Sequence, residues 1–332
     1  MNNQASEHRA SAYSTYDTPW WLPGGHLQTI YAYARATKQL IHYRRERWET
    51  PDGDFIDLDW LDSANDEAKL LVLFHGLEGS SRSHYALQIM ALAQQQGWRG
   101  VVPHFRGCSG EANRLPRSYH SGDAPEIDWI LRRLKADNSR CEIFVVGVSL
   151  GGNMLLTWLG EMGEAAGAIV QRVVTISAPI DLNAAARVLD VGPRKAIYTR
   201  NFLNSLKPKV LAKIAAHRLK IDPARVHACS TFREIDDLYT APIHGFKDAL
   251  DYWTRASSKP WLKHIRVPTL LINARNDPFL PVTVLPDYRE VSDVVTLEFP
   301  YSGGHVGFVS AEINGSLDWL SRRILSFILD ER

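Results

Sequence analysis

From residue 69 onward, short runs of branched and aromatic apolar residues alternate with stretches whose apolar residues recur every three or four positions. The first pattern marks strands buried on both faces, the second amphipathic helices. KLLVLFHG (69–76), RGVVPHFRG (99–107), EIFVVGVS (142–149), QRVVTISAP (171–179), PTLLINARND (268–277) and VVTLEFP (294–300) read as strands. HYALQIMALAQQQG (84–97) and PEIDWILRRLKAD (125–137) read as helices between them. Strand, helix and strand in repeated order predict an α/β architecture: a mostly parallel central sheet flanked by helices, with connections long enough for right-handed crossovers.

Two stretches depart from this rhythm. FIDLDWLD (55–62) alternates apolar and acidic residues as a half-exposed strand does, and RRERWETPDGD before it suits a strand and a turn, so the pair predicts an antiparallel edge. Residues 181–240 are helix-like with no convincing strand, and predict a helical cap inserted over the carboxyl ends of the strands. With no internal repeat, low-complexity segment or Pro-rich linker, 1–332 reads as one domain carrying that insertion.

Composition narrows the partners. The chain is 45% hydrophobic and 23% charged, with 38 Lys plus Arg against 37 Asp plus Glu, so no global field recommends nucleic acid or an anionic membrane as the main partner. Locally, residues 187–225 hold ten Lys or Arg against Asp190 and Asp222. That patch suits either an anionic substrate or lipid surface, or the solvated faces of helices built around Val210, Leu211, Ile214 and Leu219. Cys108, Cys141 and Cys229 are too few and scattered for a disulfide framework, and no Cys/His spacing suggests a metal. The N-terminus lacks an apolar leader and no run approaches the ~20 apolar residues of a membrane span, which predicts a cytoplasmic chain.

GVSLG places Ser149 between Gly147 and Gly151, after a predicted strand and before LLTWLGEM, which continues as a helix. A serine on such a turn takes strained backbone angles, and side chains at the two glycines would collide as strand and helix fold together. A general base is expected after the last strand, where YSGGHVGF (301–308) supplies His305. An orienting carboxylate is expected after the preceding strand, where LLINARNDPFLP supplies Asp277. The order Ser149, Asp277, His305 is the one the α/β-hydrolase fold imposes. An oxyanion hole calls for the amide after the nucleophile, Leu150, and one from the loop FHGLEGSSRS (74–83), assigned to Leu77. In that loop His75 reads as a buried brace, and Cys108 in RGCSG (106–110) as a loop residue without a base. No Lys-Ser/Thr pair follows the glycines, which argues against a phosphate-binding P-loop at Ser149.

HGLEGSS, GVSLGGN, NARNDPF and GGHVGF, with PWWLPGGHLQTIY (19–31) and TFREIDDLYTAPIHGF (231–246), resemble the YheT-like esterases of AB hydrolase family 4. That group also holds yeast medium-chain ester synthase/esterases and mammalian membrane-associated phospholipases. The resemblance implies a charge-relay triad of Ser149, Asp277 and His305, a small-molecule ester substrate and no cofactor. Where family members often carry two adjacent acids this chain has Asn276 and Asp277, and the apolar anchor of the membrane-bound relatives is absent from this sequence. The expected activity is that of a serine carboxylesterase on short- to medium-chain acyl esters. Alternatives are transfer of the acyl group to an alcohol, or ligand binding without turnover; contact with a membrane would be peripheral. PWWLPGGHLQT has no mechanism in the sequence alone, and its tryptophans and His26 either pack over the sheet or line an acyl pocket.

Overall fold

The computed structural model describes residues 16–35, 41–65, 69–312 and 315–330. Among these, eight strands form one sheet: β1 (Arg44–Glu49), β2 (Phe55–Leu61), β3 (Leu70–Phe74), β4 (Arg99–Pro103), β5 (Ile143–Val148), β6 (Arg172–Ile176), β7 (Thr269–Ile272) and β8 (Val295–Glu298). Their order across the sheet is β1-β2-β4-β3-β5-β6-β7-β8. β1 pairs antiparallel with β2 and β2 with β4, while every pairing from β4 through β8 is parallel.

The runs read as strands are apolar throughout because both faces are covered. On β3, Leu70, Val72 and Phe74 join one core with Ile127 and Leu131 of α3 (Ala124–Asp137) and Leu155 of α4 (Leu150–Met162). Leu71 and Leu73 face the other way, into a core with Ile89 and Met90 of α2 (His84–Gln95) and Ile324 and Phe327 of α9 (Asp318–Leu329). Side chains alternate across a strand, so one pentapeptide supplies both cores. A further helix, α1 (Gly25–Arg35), precedes the sheet.

β2 corrects the reading from alternation: all seven of its residues are buried. Its acids are neutralised from the neighbouring strand, where Arg47 grips Asp57 (2.7 and 2.9 Å) and Arg45 grips Asp59 (2.7 and 2.9 Å). Asp59 also receives Ser81 Oγ at 2.5 Å and contacts His104 Nε2 at 2.9 Å. Bidentate guanidinium pairing lets a carboxylate lie where an unpaired one would be too costly.

Between β6 and β7 the chain is helical: α5 (Leu182–Leu189), α6 (Arg200–His217), α7 (Pro223–Ala228) and α8 (Ala249–Ala256), with short turns among them. Val210 and Ile214 of α6 pack with Val226 of α7 in a small core of their own. Lys213, in the basic stretch, is buried rather than solvated, its ammonium bonding the carbonyls of Asn113 (3.3 Å), Leu115 and Arg117 (3.2 Å). The helical segment is thereby tied to the loop that follows β4.

Candidate active site

Ser149 sits at the turn from β5 into α4 with φ 52° and ψ −119°, a region nearly closed to residues with a side chain. The glycines explain how the turn closes. A Cβ on Gly147 would meet Gly152 Cα at 2.8 Å, and one on Gly151 would meet the carbonyl oxygens of His75 and Phe74 at 2.5 and 2.6 Å. Strand and helix therefore fold back at backbone contact, and the serine projects at the helix N-terminus, where unpaired amides favour negative charge.

His305 Nε2 lies 3.0 Å from Ser149 Oγ, and its Nδ1 lies 2.9 and 3.2 Å from the two oxygens of Asp277. The Asp277 side chain is fully buried, and its Oδ1 also accepts from the Phe279 amide at 2.7 Å. The ring of Phe279 stacks on the imidazole at 3.9 Å, fixing its plane.

The loop carrying His305 is held by side chains from three distant parts of the chain. Gly303 N donates to Gln28 Oε1 (2.8 Å), Gly304 N to Asn276 Oδ1 (3.0 Å), His305 N to Thr29 Oγ1 (2.8 Å) and Val306 N to Ser177 Oγ (3.0 Å). Four consecutive amides are satisfied by four side chains. Gln28 is wholly buried, donates to Leu22 O at 3.0 Å and accepts from Asn276 Nδ2 at 3.2 Å. A Cβ on Gly25 would fall 1.9 Å from Asn276 O, and one on Gly304 would fall 2.6 Å from Gly25 O. α1, formed by GGHLQTIY of the N-terminal motif, is thus a clamp on the histidine loop. The sequence offered no sign of it, since partners 275 positions apart leave no periodic trace. Asn276, where an acid would be acceptor only, serves this network as both donor and acceptor.

On the other side of Ser149, a Cβ on Gly76 would lie 3.2 Å from Ser149 Cβ, which places the 76–77 turn against the serine. Leu77 and Leu150 both border the cavity beside it, and their amides have no hydrogen-bond partner among the described residues. His75 is the brace the sequence suggested: its Nδ1 contacts Gly76 O at 2.8 Å and its Nε2 accepts from Phe105 N at 3.1 Å. Burial lowers its pKa to about 3, so it stays neutral. Glu78, next in the turn at φ 56°, is held by Tyr119, whose hydroxyl accepts from its amide at 2.9 Å, and by Lys209 of α6 at 2.8 Å. Cys108 also lines the cavity, where burial pushes its thiol up to about 12 and so keeps it protonated near neutral pH.

The cavity has a volume of about 670 Å³. Its walls come largely from the helices after β6, including Leu182, Leu189, Phe202, Leu206, Val210 and Ile235. Asp236 also lines it, accepting from Trp253 Nε1 at 2.8 Å, and burial raises its carboxyl to about 7. Asn153 of α4 ties the loop before α3 to the segment after α8: it donates to Ser121 O (2.9 Å) and Ala256 O (2.7 Å) and accepts from Ser258 N (3.0 Å).

A parallel sheet layered between helices, with serine, histidine and aspartate gathered at its carboxyl edge, defines the α/β-hydrolase class. The chain belongs to the alpha/beta hydrolase fold family, whose pattern matches residues 69–312. It is 41% identical to YheT of Escherichia coli (strain K12), a protein with a provisional esterase name, over 90% of this chain and 88% of that one. It is 27% identical to phospholipase ABHD3 of Homo sapiens, over 89% of this chain and 74% of the relative. In fold it is similar to a Pyrococcus furiosus esterase, with a TM-score of 0.55 at 16% identity, covering 87% of this chain and 92% of the other. The esterase and hydrolase relatives place this chain among the hydrolases. Among the described residues no helix is long and apolar enough to cross a membrane.

Proposed function

We propose that this protein is a serine carboxylesterase acting on short- to medium-chain acyl esters through an acyl-enzyme on Ser149. The observation that carries this reading is the continuous relay from Ser149 Oγ through His305 to the buried carboxylate of Asp277, at 3.0 and 2.9 Å. His305 Nε2 takes the serine proton as Oγ attacks the ester carbonyl, and Asp277 stabilises the imidazolium through Nδ1. The amides of Leu77 and Leu150 receive the oxyanion. Collapse of the tetrahedral intermediate expels the alcohol, which takes the proton from His305, and water repeats the sequence to release the acid. The apolar walls of the cavity beside Ser149 suit an acyl chain. An alcohol accepting the acyl group in place of water would use the same residues.

Ser149→Ala tests this directly. The variant is expected to fold, to lose p-nitrophenyl ester hydrolysis and to escape labelling by a fluorophosphonate that modifies the parent. Labelling that persists in Ser149→Ala overturns the assignment. A series of p-nitrophenyl esters from acetate to palmitate then reads the usable depth of the cavity.

A further inference from the structure

We propose that the seam between α1 and the helical segment at 191–200 is a docking face for an anionic lipid surface, set directly outside His305. Three ring contacts in line make the connection. The imidazole of His305 stacks on Phe279 at 3.9 Å, Phe279 meets Tyr198 at 4.7 Å, and Tyr198 stacks on His26 at 5.6 Å and bonds its Nδ1 at 3.0 Å. His26 belongs to α1 and Tyr198 to the 191–200 segment, so this contact joins the two elements, with Phe279 between them and His305.

Both elements expose large apolar side chains next to that contact. Beside His26, Leu27 is 49% exposed and Ile30 43%; beside Tyr198, Ile197 is 42% exposed and Val191 58%. Trp20, 78% exposed, flanks the same helix, since its neighbour Trp21 packs edge-on against Tyr31 of α1. Leu27 and Ile30 are one turn apart and share a helix face. Grouped large apolar side chains, a tryptophan among them, fit the interfacial zone of a bilayer better than water.

Charge selects the occupant. Neither 25–35 nor 191–200 contains an Asp or Glu, whereas Arg35, Arg194, Lys195 and Arg200 fall within them, Lys195 also donating to Ser230 Oγ at 3.0 Å. The one acid just before, Asp190, is engaged by the amides of Phe232 (2.8 Å) and Arg233 (3.2 Å). A second copy seated symmetrically on this face would set cations against cations, while anionic headgroups complement them at about 1 kcal/mol per basic residue near the surface. The proposal rests on the esterase reading only for its purpose, which is to bring an acyl ester from lipid to Ser149; binding itself needs no catalysis.

The test is co-sedimentation of the full chain with phosphatidylcholine vesicles containing or lacking phosphatidylglycerol. Binding is expected to be at least about tenfold stronger with the anionic lipid and to weaken at about 0.5 M salt. The Leu27→Asp/Ile197→Asp variant should lose about tenfold or more of it. The same variant should hydrolyse soluble p-nitrophenyl butyrate like the parent, which also shows that it folds. Ser149→Ala should bind vesicles as the parent does, so a failed esterase reading and a failed docking face give different results. Absence of parent binding to anionic vesicles overturns the proposal, as does binding that the double aspartate variant retains. Self-association of the parent that this variant abolishes overturns it in favour of a second copy.

Discussion

Thr29 is 276 positions from His305, yet its hydroxyl accepts a hydrogen bond from the amide of that residue at 2.8 Å while donating to Gly25 O at 2.7 Å. Removing it leaves a partly buried amide unpaired, a defect of about 1–3 kcal/mol acting on the loop that aims the imidazole. Thr29→Val is expected to lower kcat about tenfold with KM nearly unchanged, and Thr29→Ser to restore it, in steady-state hydrolysis of a soluble ester. Loss of kcat and gain of KM together would show instead that the cavity had shifted. Asp277→Asn tests the adjacent link: with an amide facing Nδ1, the imidazole is held in the wrong tautomer and kcat should fall about 10⁴-fold near neutral pH. The three residues of the relay could be read from the chain because each follows a strand in a fixed order. Thr29, Gln28 and Ser177 could not, since a hydroxyl or amide that accepts one distant backbone proton has no neighbour-level pattern.

At the scale of elements, the apolar strands were legible because burial on both faces leaves no polar positions, whereas β2 misled. Its alternation of apolar and acidic residues is that of a strand with one wet face, but Arg45 and Arg47 come from β1, and their pairing with Asp59 and Asp57 depends on a register no single strand reveals. α6 shows the same thing for a helix. Lys213 sits among charges typical of a solvated face, but its ammonium enters a ring of three carbonyls from 113–117. Replacing it with Met keeps the stem and removes the donors, leaving those carbonyls short of partners. Lys213→Met is expected to loosen α6 from the loop after β4, and hydrogen exchange should quicken across 200–217 while β5 and β6 stay protected. Uniform acceleration over the sheet would mean the lysine supports the whole fold rather than this attachment.

Across the whole molecule, the cavity and the response to acid depend on side chains assembled from many segments, which is why neither was visible in the linear chain. Burial lowers the pKa of His75 to about 3 and those of His84 and His120 to about 4, while it raises Asp236 to about 7. The signs oppose. A buried neutral histidine binds its proton only after unfolding, so its stabilising effect is complete above its ordinary pKa of about 6.5 and fades as the pH falls below that. Asp236 keeps its proton in the fold to about pH 7, so its contribution grows as the pH falls from there toward its ordinary range. His75 isolates the first effect, because it is wholly buried and its two ring nitrogens are both engaged. His75→Gln should destabilise the protein at pH 7.5, by about 1–3 kcal/mol for the lost hydrogen bonds. Since glutamine takes up no proton, the gap between parent and variant should narrow by about 2 kcal/mol by pH 5, where the unfolded parent carries the charge that the variant cannot. Urea unfolding of both proteins at the two pH values measures the difference. A gap that stays constant would mean that His75 takes up its proton as readily in the fold as in the unfolded chain, so that burial does not keep the ring neutral in the turn bearing Leu77.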